Sequence, residues 1–178
     1  MAQQQTSLSP ADQAKAEKAY TLAYEFEQKY GNCPQCVLAA IQEAVGPVDD
    51  AIFKAGHALA GGAALSGSGT CGALSGGMLA IAAKYGRDRA NFAKGRHLTS
   101  YQLSKNLLDR FVAEFGSPIC GGVQTKVLGR SYDLWDQKDF QAFEAAGGHV
   151  DKCPVVAGLT ARWTAEILLE EAAKEQGR

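Results

Sequence analysis

The sequence predicts an all-α protein, a single-domain bundle of about five to seven helices joined by glycine-rich turns. Apolar residues recur at helical spacing along most of the chain, glycine or proline marks the ends of these stretches, and no convincing pair of alternating strands is found. The 178 residues are 46 % hydrophobic and 21 % charged, as in an ordinary globular domain. We expect residues 1–8 to form a flexible tail and residues 9–178 a single helical domain.

The first part of the chain carries three helical patterns. A capping Ser9, followed by proline, begins the first helix, and Gly31 ends it. Asn32 can cap the second helix, which ends at Gly46-Pro47. An aspartate at position 49 or 50 can begin the third.

The rest of the chain alternates helices with less regular segments. The predicted order is a glycine-rich stretch over residues 61–77, a buried helix to Gly86, a helix from about Ala90 to Phe115, a turn over residues 117–122 and a short helical excursion within residues 124–148. Asp151 can then cap the last helix, with Cys153 in its first turn. The glycine-rich stretch holds seven of the 20 glycines, and such residues allow close approach of neighbouring backbone.

Charge and hydropathy exclude several classes of function. The formal net charge is -1, and no basic patch is dense enough to predict nucleic-acid binding. No apolar run reaches the roughly 18 residues needed to cross a bilayer. The N-terminal residues are polar and lack a hydrophobic signal core, so a cytoplasmic protein and an exported one with its signal peptide removed both stay open. Small-residue helix faces leave a homodimer open as well.

Five cysteines are the main chemical signal, at Cys33, Cys36, Cys71, Cys120 and Cys153. An odd number cannot pair fully within one chain, and a domain of this size folds without disulfides. At least three lie where a helix is predicted to begin, and a helix N-terminus stabilises the thiolate, the reactive and metal-binding form of cysteine. The pattern indicates thiol or metal chemistry without choosing between them.

The motif Cys33-Pro34-Gln35-Cys36 is a CxxC pair within one helical turn. Such pairs perform dithiol redox chemistry or supply two ligands to zinc or an iron-sulfur cluster. In the dithiol alternative, Cys33 is the attacking thiolate, with a pKa lowered by the helix start, and Cys36 is the resolving thiol. The chain lacks the βαβ pattern of thioredoxins and the second CxxC of a zinc ribbon.

Cys71 lies within the glycine-rich stretch. The segment Gly67 to Gly72 also matches GxGxxG, but without a preceding strand we reject a dinucleotide site. Cys120 and Cys153 belong to two further segments. Together with Cys33 they give four thiols from four segments, the number that a tetrahedral metal or a small iron-sulfur cluster needs.

These residues resemble the redox-active C_GCAxxG_C_C proteins, a family marked by four cysteines and a CGAxxG motif. The matching positions are Asn32-Cys33, Cys71-Gly72-Ala73-Leu74-Ser75-Gly76, Lys84-Tyr85-Gly86, Phe115-Gly116-Ser117, Ile119-Cys120 and Cys153. The resemblance covers roughly Tyr20 to Leu169. It implies a small helical redox-active protein whose family cysteines are Cys33, Cys71, Cys120 and Cys153, with Cys36 as a departure from the pattern.

A related domain in split-Soret cytochrome c stands beside an iron-sulfur centre. The resemblance therefore implies a cluster, 2Fe-2S or 4Fe-4S, held by the four family cysteines and used in electron transfer with a redox partner protein. Cys36 could be a further metal ligand, a resolving thiol or a spare. A thiol-disulfide oxidoreductase and a zinc or soft-metal binding module are the alternatives, and an electron carrier or oxidoreductase component is expected before a hydrolase or transferase.

The histidines and tryptophans give weaker signals. His57 precedes the glycine-rich stretch, and His149 precedes Cys153 by four residues, so either could hydrogen-bond a sulfur or ligate a metal. His97 is interpreted as solvated. Trp135 and Trp163 are interpreted as packing anchors.

Overall fold

The structure is a computed structural model that describes residues 8–46 and 48–177. Within these ranges it contains no strand and eight α-helices: α1 (Pro10–Tyr30), α2 (Cys33–Ala44), α3 (Asp50–Gly56), α4 (Gly72–Tyr85), α5 (Leu98–Phe115), α6 (Cys120–Leu128), α7 (Gln137–Ala145) and α8 (Cys153–Glu175). The predicted all-α class is confirmed, with one helix more than the expected five to seven. The predicted tail lies outside the described residues except for Leu8, whose side chain is buried.

The first helix begins and ends with the predicted signals, and the second begins with its predicted cap. The second helix ends at Ala44, with Val45 as its C-cap, shortly before the predicted Gly46; Pro47 lies outside the described residues. The Ser9 side chain accepts a hydrogen bond from the Asp12 N–H, and Gly31 ends α1 in the left-handed conformation at φ 63°. The Asn32 carboxamide oxygen accepts a hydrogen bond from the Gln35 N–H at 3.3 Å. These local contacts place Cys33 at the first turn of α2.

Two predicted boundaries in the second half were wrong. The long helix begins at Leu98 rather than near Ala90, because a short 3₁₀ turn and a left-handed His97 interrupt the chain between them. In the segment predicted as a turn over residues 117–122, residues 120–122 instead form the start of α6, while residues 117–119 are not helical. Both errors have the same cause, since apolar spacing does not report where φ changes sign or where a short helix starts.

The last third of the chain is more helical than expected. Residues 124–148 contain the end of α6 and all of α7, and a single π-helical turn, Gly148–Lys152, leads into α8. Lys152, not Asp151, is the residue that precedes the helix, and it makes no side-chain cap. The first turn of α8 therefore starts at Cys153, as predicted.

The core is built around α1, α2, α4 and α8, which pack against one another. Ala19 and Ala23 of α1 and Ala161 and Ala165 of α8 are all fully buried, so these two long helices meet through small side chains. None of the helices among the described residues has the length and hydropathy needed to cross a membrane.

Two glycines allow α4 to approach the first turn of α2 very closely. A Cβ atom added at Gly76 would lie 2.6 Å from the Pro34 carbonyl oxygen, and one added at Gly72 would lie 2.5 Å from Cys33 Sγ. Real Cβ atoms do not approach other atoms this closely, so a larger residue at either position would displace the first turn of α2. The contact brings the N-terminal ends of α2 and α4 together at one end of the bundle.

Gly76→Ala tests this contact. We expect the free energy of unfolding to fall by about 1–3 kcal/mol because the new methyl group meets Pro34 backbone, which cannot move without displacing α2. This loss exceeds the gain of about 1 kcal/mol that alanine brings inside a helix. Urea unfolding of the reduced protein measures the difference.

Gly46→Ala is the matched control, because an added Cβ atom there meets no atom within 4 Å. Its free energy of unfolding should stay within about 0.5 kcal/mol of the unsubstituted protein. Equal effects of the two substitutions would contradict the close-approach interpretation.

Candidate functional site

Four cysteines lie at the N-terminal ends of four different helices. Cys33, Cys120 and Cys153 are the first residues of α2, α6 and α8. Cys71 is the residue that precedes α4. All four line one cavity of about 430 Å³, which we call the four-thiol cavity.

Backbone hydrogen bonds hold two of these helix starts together. The Cys71 N–H donates to the Pro118 carbonyl at 2.8 Å, and the Cys120 N–H donates to the Gly69 carbonyl at 3.0 Å. They flank the isolated β-bridge between Thr70 and Ile119. The segments before α4 and α6 are thus paired directly, so Cys71 and Cys120 are positioned by backbone rather than by flexible side chains.

A left-handed turn forms one wall of the four-thiol cavity. Residues 61–65 all have positive φ, including the non-glycine Ala63, Ala64 and Leu65 at 65°, 48° and 57°. Each non-glycine residue in this region costs on the order of 1 kcal/mol, so the turn persists only because its surroundings fix it. A Cβ atom added at Gly62 would lie 2.7 Å from Cys120 Cβ, which shows how closely the turn packs on the site.

Cys36 is separated from the other four thiols. Its residue is buried, at 2 % exposure, but it does not line the four-thiol cavity. It lines a second cavity of about 810 Å³. Its thiol also hydrogen-bonds Glu27, a residue that lines the four-thiol cavity. The structure therefore divides the five cysteines into four and one, in the same way as the family pattern.

The thiols of the four-thiol cavity are held in their neutral form. Burial raises the pKa of the Cys71 thiol to about 12 and that of the Cys120 thiol to about 11. Burial also raises the pKa values of Cys33 and Cys153 well above the ordinary value, and neighbouring negative charge adds to the effect. The prediction that the helix start lowers the pKa of Cys33 is wrong for the free thiol, because the desolvation of the thiolate outweighs the helix dipole.

Glu27 is a buried acid that the sequence analysis missed. It lines the four-thiol cavity, its residue is 1 % exposed, and its Oε2 atom has no hydrogen-bond partner among the described residues. Burial raises its pKa, while the nearby Cys36 thiol and His149 act in the opposite direction. Its position four residues after Ala23, itself four after Ala19, was the available signal, since that spacing continues the buried stripe of α1.

His149 lies between Glu27 and a second acidic residue, Glu144. Its Nδ1 atom lies 2.5 Å from Glu144 Oε1, and its Nε2 atom lies 3.9 Å from Glu27 Oε1. The ring packs edge-on against Phe143, with centroids 5.1 Å apart. His149 therefore lies at the site, as the sequence allowed, but as a partner of two carboxylates.

The other singled-out aromatic residues lie elsewhere. His57 is exposed and lines the second cavity, and His97 is exposed before α5. Trp163 packs against Phe115 and the core, as predicted for an anchor. Trp135 is 73 % exposed, so the prediction that it anchors the core was wrong.

Gln124 is a second site residue that the sequence did not reveal. Its side chain is buried, its Nε2 atom donates to Cys120 Sγ at 3.7 Å, and its Oε1 atom accepts from the Tyr132 N–H at 2.8 Å. The backbone contact fixes the carboxamide orientation, so the N–H group points at sulfur. Hydrogen bonds of this kind stabilise negative charge on a metal-bound thiolate.

The donor atoms suit a soft, positively charged group. Four thiols and an unpartnered carboxyl oxygen surround the cavity, and a cation would compensate all of them once they ionise. Among the described residues, no three His, Cys, Asp or Glu side chains are placed as the ligands of one metal ion. The thiols share a cavity without forming the compact shell of a single zinc ion, whose ligand sulfurs lie about 2.3 Å from the metal.

Fold and site together define a class of protein. It is a small helical protein with four thiols at helix starts around one cavity, two of them buried and two half-buried. The chain belongs to the family described as Putative redox-active protein (C_GCAxxG_C_C), whose model matches residues 31–167. The resemblance to this family is thereby confirmed, and the matched span contains all five cysteines. The comparison with curated proteins found no match, and neither did the comparison with solved structures.

Glu27→Gln tests the cost of the buried acid. The pKa of Glu27 is raised in the folded state, so its proton stabilises the fold fully below the ordinary value of 4.5, and this stability is lost as pH rises through the folded pKa. At pH 7.5 the free energy of unfolding of the glutamine variant should therefore be about 1–3 kcal/mol higher than that of the unsubstituted protein. This difference should shrink toward pH 4. Urea unfolding of the reduced, metal-free protein measures it.

Glu25→Gln, on the exposed face of the same helix, is the control and should leave the free energy of unfolding nearly unchanged. A Glu27→Gln variant that is less stable than the unsubstituted protein at both pH values would show that the carboxylate is compensated in the free protein.

Proposed function

We propose that the protein is an electron-transfer component whose Cys33, Cys71, Cys120 and Cys153 hold an iron-sulfur cluster, either 2Fe-2S or 4Fe-4S. The observation that carries this proposal is the arrangement of four thiols from four helix starts around one 430 Å³ cavity. Four cysteine thiolates are the usual ligand set of both cluster types. Membership of a redox-active family supports the same conclusion.

The helix starts suit such a group. Each N-terminal turn carries unsatisfied N–H groups and a partial positive charge, and cysteine-ligated clusters are negatively charged. Helices α2, α4 and α6 begin at the cavity, so three such ends adjoin it. Helix α8 continues from a π-helical turn, in which the Cys153 N–H already donates to the Gly148 carbonyl. Metal binding deprotonates the thiols outright, because the charge of the metal exceeds the desolvation that keeps free thiols neutral. We therefore expect proton release when the site is loaded.

A cluster and a single zinc ion make different demands on the donors. A cluster distributes its cysteine ligands over several irons, whereas zinc draws all four sulfurs to one point. We propose the cluster because the family is described as redox-active and zinc has no redox chemistry. Gln124 would then donate a hydrogen bond to one ligand sulfur and tune the potential.

The dithiol alternative has less support. Cys33 lines the four-thiol cavity while Cys36 lines the second cavity, so the two thiols face different spaces. Burial raises the pKa of both, which leaves little thiolate to attack a disulfide at neutral pH. Two further expectations stay predictions: that the protein exchanges electrons with a redox partner protein, and that it can form a homodimer.

Anaerobic reconstitution with iron and sulfide tests the proposal. We expect visible absorption together with protein-bound iron and acid-labile sulfide in matching amounts. Replacing any one of Cys33, Cys71, Cys120 and Cys153 with serine should remove most of this absorption, because a cluster ligand is lost. Iron analysis, sulfide analysis and the visible spectrum are the measurements.

Cys36→Ser is the matched control and should retain the cluster, because Cys36 does not line the four-thiol cavity. A colourless protein after reconstitution would contradict the proposal. Stoichiometric zinc without sulfide, removed by chelation with loss of structure, would instead establish the metal-binding module. Loss of absorption in Cys36→Ser equal to that in the other four variants would overturn the proposed ligand set.

A further inference from the structure

The second cavity adjoins the four-thiol cavity. It has a volume of about 810 Å³, within the range of ligand pockets. Tyr30, Gly31, Ala60 and Leu65 belong to the linings of both cavities, so a single layer of residues separates them. A molecule in the second cavity would lie directly beside the proposed redox site.

Four large aromatic side chains contribute to the lining of this second cavity. Phe26, Tyr30, Phe53 and Trp135 all contribute to it. Tyr30 and Trp135 are 63 % and 73 % exposed, so both rings are accessible to a molecule that enters the cavity. Rings in this arrangement favour an occupant that is itself flat and aromatic, because aromatic pairs stabilise each other through stacked or edge-to-face contact.

Trp135 is held in place although it is exposed. Its indole Nε1 donates to the Ala64 carbonyl at 2.8 Å, and its backbone N–H donates to Asp133 Oδ1 at 3.0 Å. Ala64 belongs to the strained left-handed turn, so the turn both separates the cavities and presents the carbonyl that fixes the ring. Backbone strain retained at such a place is typical of a binding site.

The charges of the lining side chains limit the class of ligand that suits the second cavity. The residues that line the second cavity include no lysine or arginine, and Glu43 is the acid among them. Without a cationic side chain to pair with a phosphate, this lining suits an uncharged ligand better than a nucleotide. The His57 ring has no hydrogen-bond partner among the described residues and lies at this cavity, where it can donate to a carbonyl oxygen.

We propose that the second cavity binds an uncharged aromatic molecule of the quinone class, with its ring stacked on Trp135 and beside the four-thiol cavity. The proposal rests on the proposed function and names the chemistry of its electron acceptor. A low-potential one-electron donor first reduces the cysteine-bound site. Each electron that then leaves oxidises the site by one and reduces the quinone by one, and two electrons with two protons from solvent give the hydroquinone.

The probe for this proposal is 2,3-dimethyl-1,4-naphthoquinone, whose substituted ring carbons prevent addition of the five free thiols. Equilibrium dialysis with the metal-free 178-residue protein gives the dissociation constant. We expect saturable binding of one molecule, and a dissociation constant about three- to tenfold higher in Trp135→Leu, because a stacking partner is lost. Flavin mononucleotide, which carries a phosphate, should bind at least tenfold more weakly than the quinone.

Phe92→Leu is the matched control, since Phe92 is an exposed aromatic residue that lines neither cavity. The dissociation constant of the quinone for this variant should stay within twofold of the value for the unsubstituted protein. Fluorescence adds a second readout: in Trp163→Phe, where Trp135 is the remaining tryptophan, the quinone should quench emission at the same concentration at which it binds.

Absence of saturable binding, an equal effect of Trp135→Leu and Phe92→Leu, or equal affinity for flavin mononucleotide would overturn the proposal. A second experiment uses the cluster-loaded protein after chemical reduction. The quinone should reoxidise the Trp135→Leu variant more slowly than the unsubstituted protein. Quinone binding to a protein that never takes up a cluster would overturn the proposed function and support the binding site. A loaded protein that binds no quinone would overturn this inference alone.

Discussion

The close approach of α4 to the first turn of α2 is the contact on which the site depends. Gly72 and Gly76 lie one helical turn apart, and both face the segment that carries Cys33. Their missing side chains let two helix starts, and with them Cys33 and Cys71, share one cavity. The glycines of the CGAxxG motif are therefore structural requirements of the thiol site, even though they supply no chemistry.

A competition between two electrostatic effects determines the state of the thiols. A helix start stabilises an exposed anion by about 0.3–1 kcal/mol, whereas the burial of an unpaired charge costs several kcal/mol. Burial therefore prevails, and the raised pKa values of Cys71 and Cys120 follow from it. The same low-dielectric surroundings strengthen the attraction between thiolates and a metal once it enters, so a site that is inert as free thiols is well suited to hold a charged group.

Local signals explain which features the sequence could predict. Ser9, Asn32 and Gly31 act on their own neighbours, so both ends of α1 and the start of α2 were predictable. Glu27 was not, because a glutamate on a helix usually faces solvent and only the tertiary contacts of α1 show that this one is buried. The start of α6 at Cys120 depends on backbone pairing with the segment near Gly69, which is remote in sequence.

The separation of Cys36 from the other thiols follows from helix geometry. Positions 33 and 36 on one helix point about 60° apart, close enough to suggest a pair from sequence but far enough to face different spaces. Gly31 and Tyr30, just before α2, line both cavities, so the start of this helix forms part of the wall between them. Cys36 can therefore be present without competing for the proposed cluster. It lies instead beside the second cavity, where the proposed quinone would accept the electron.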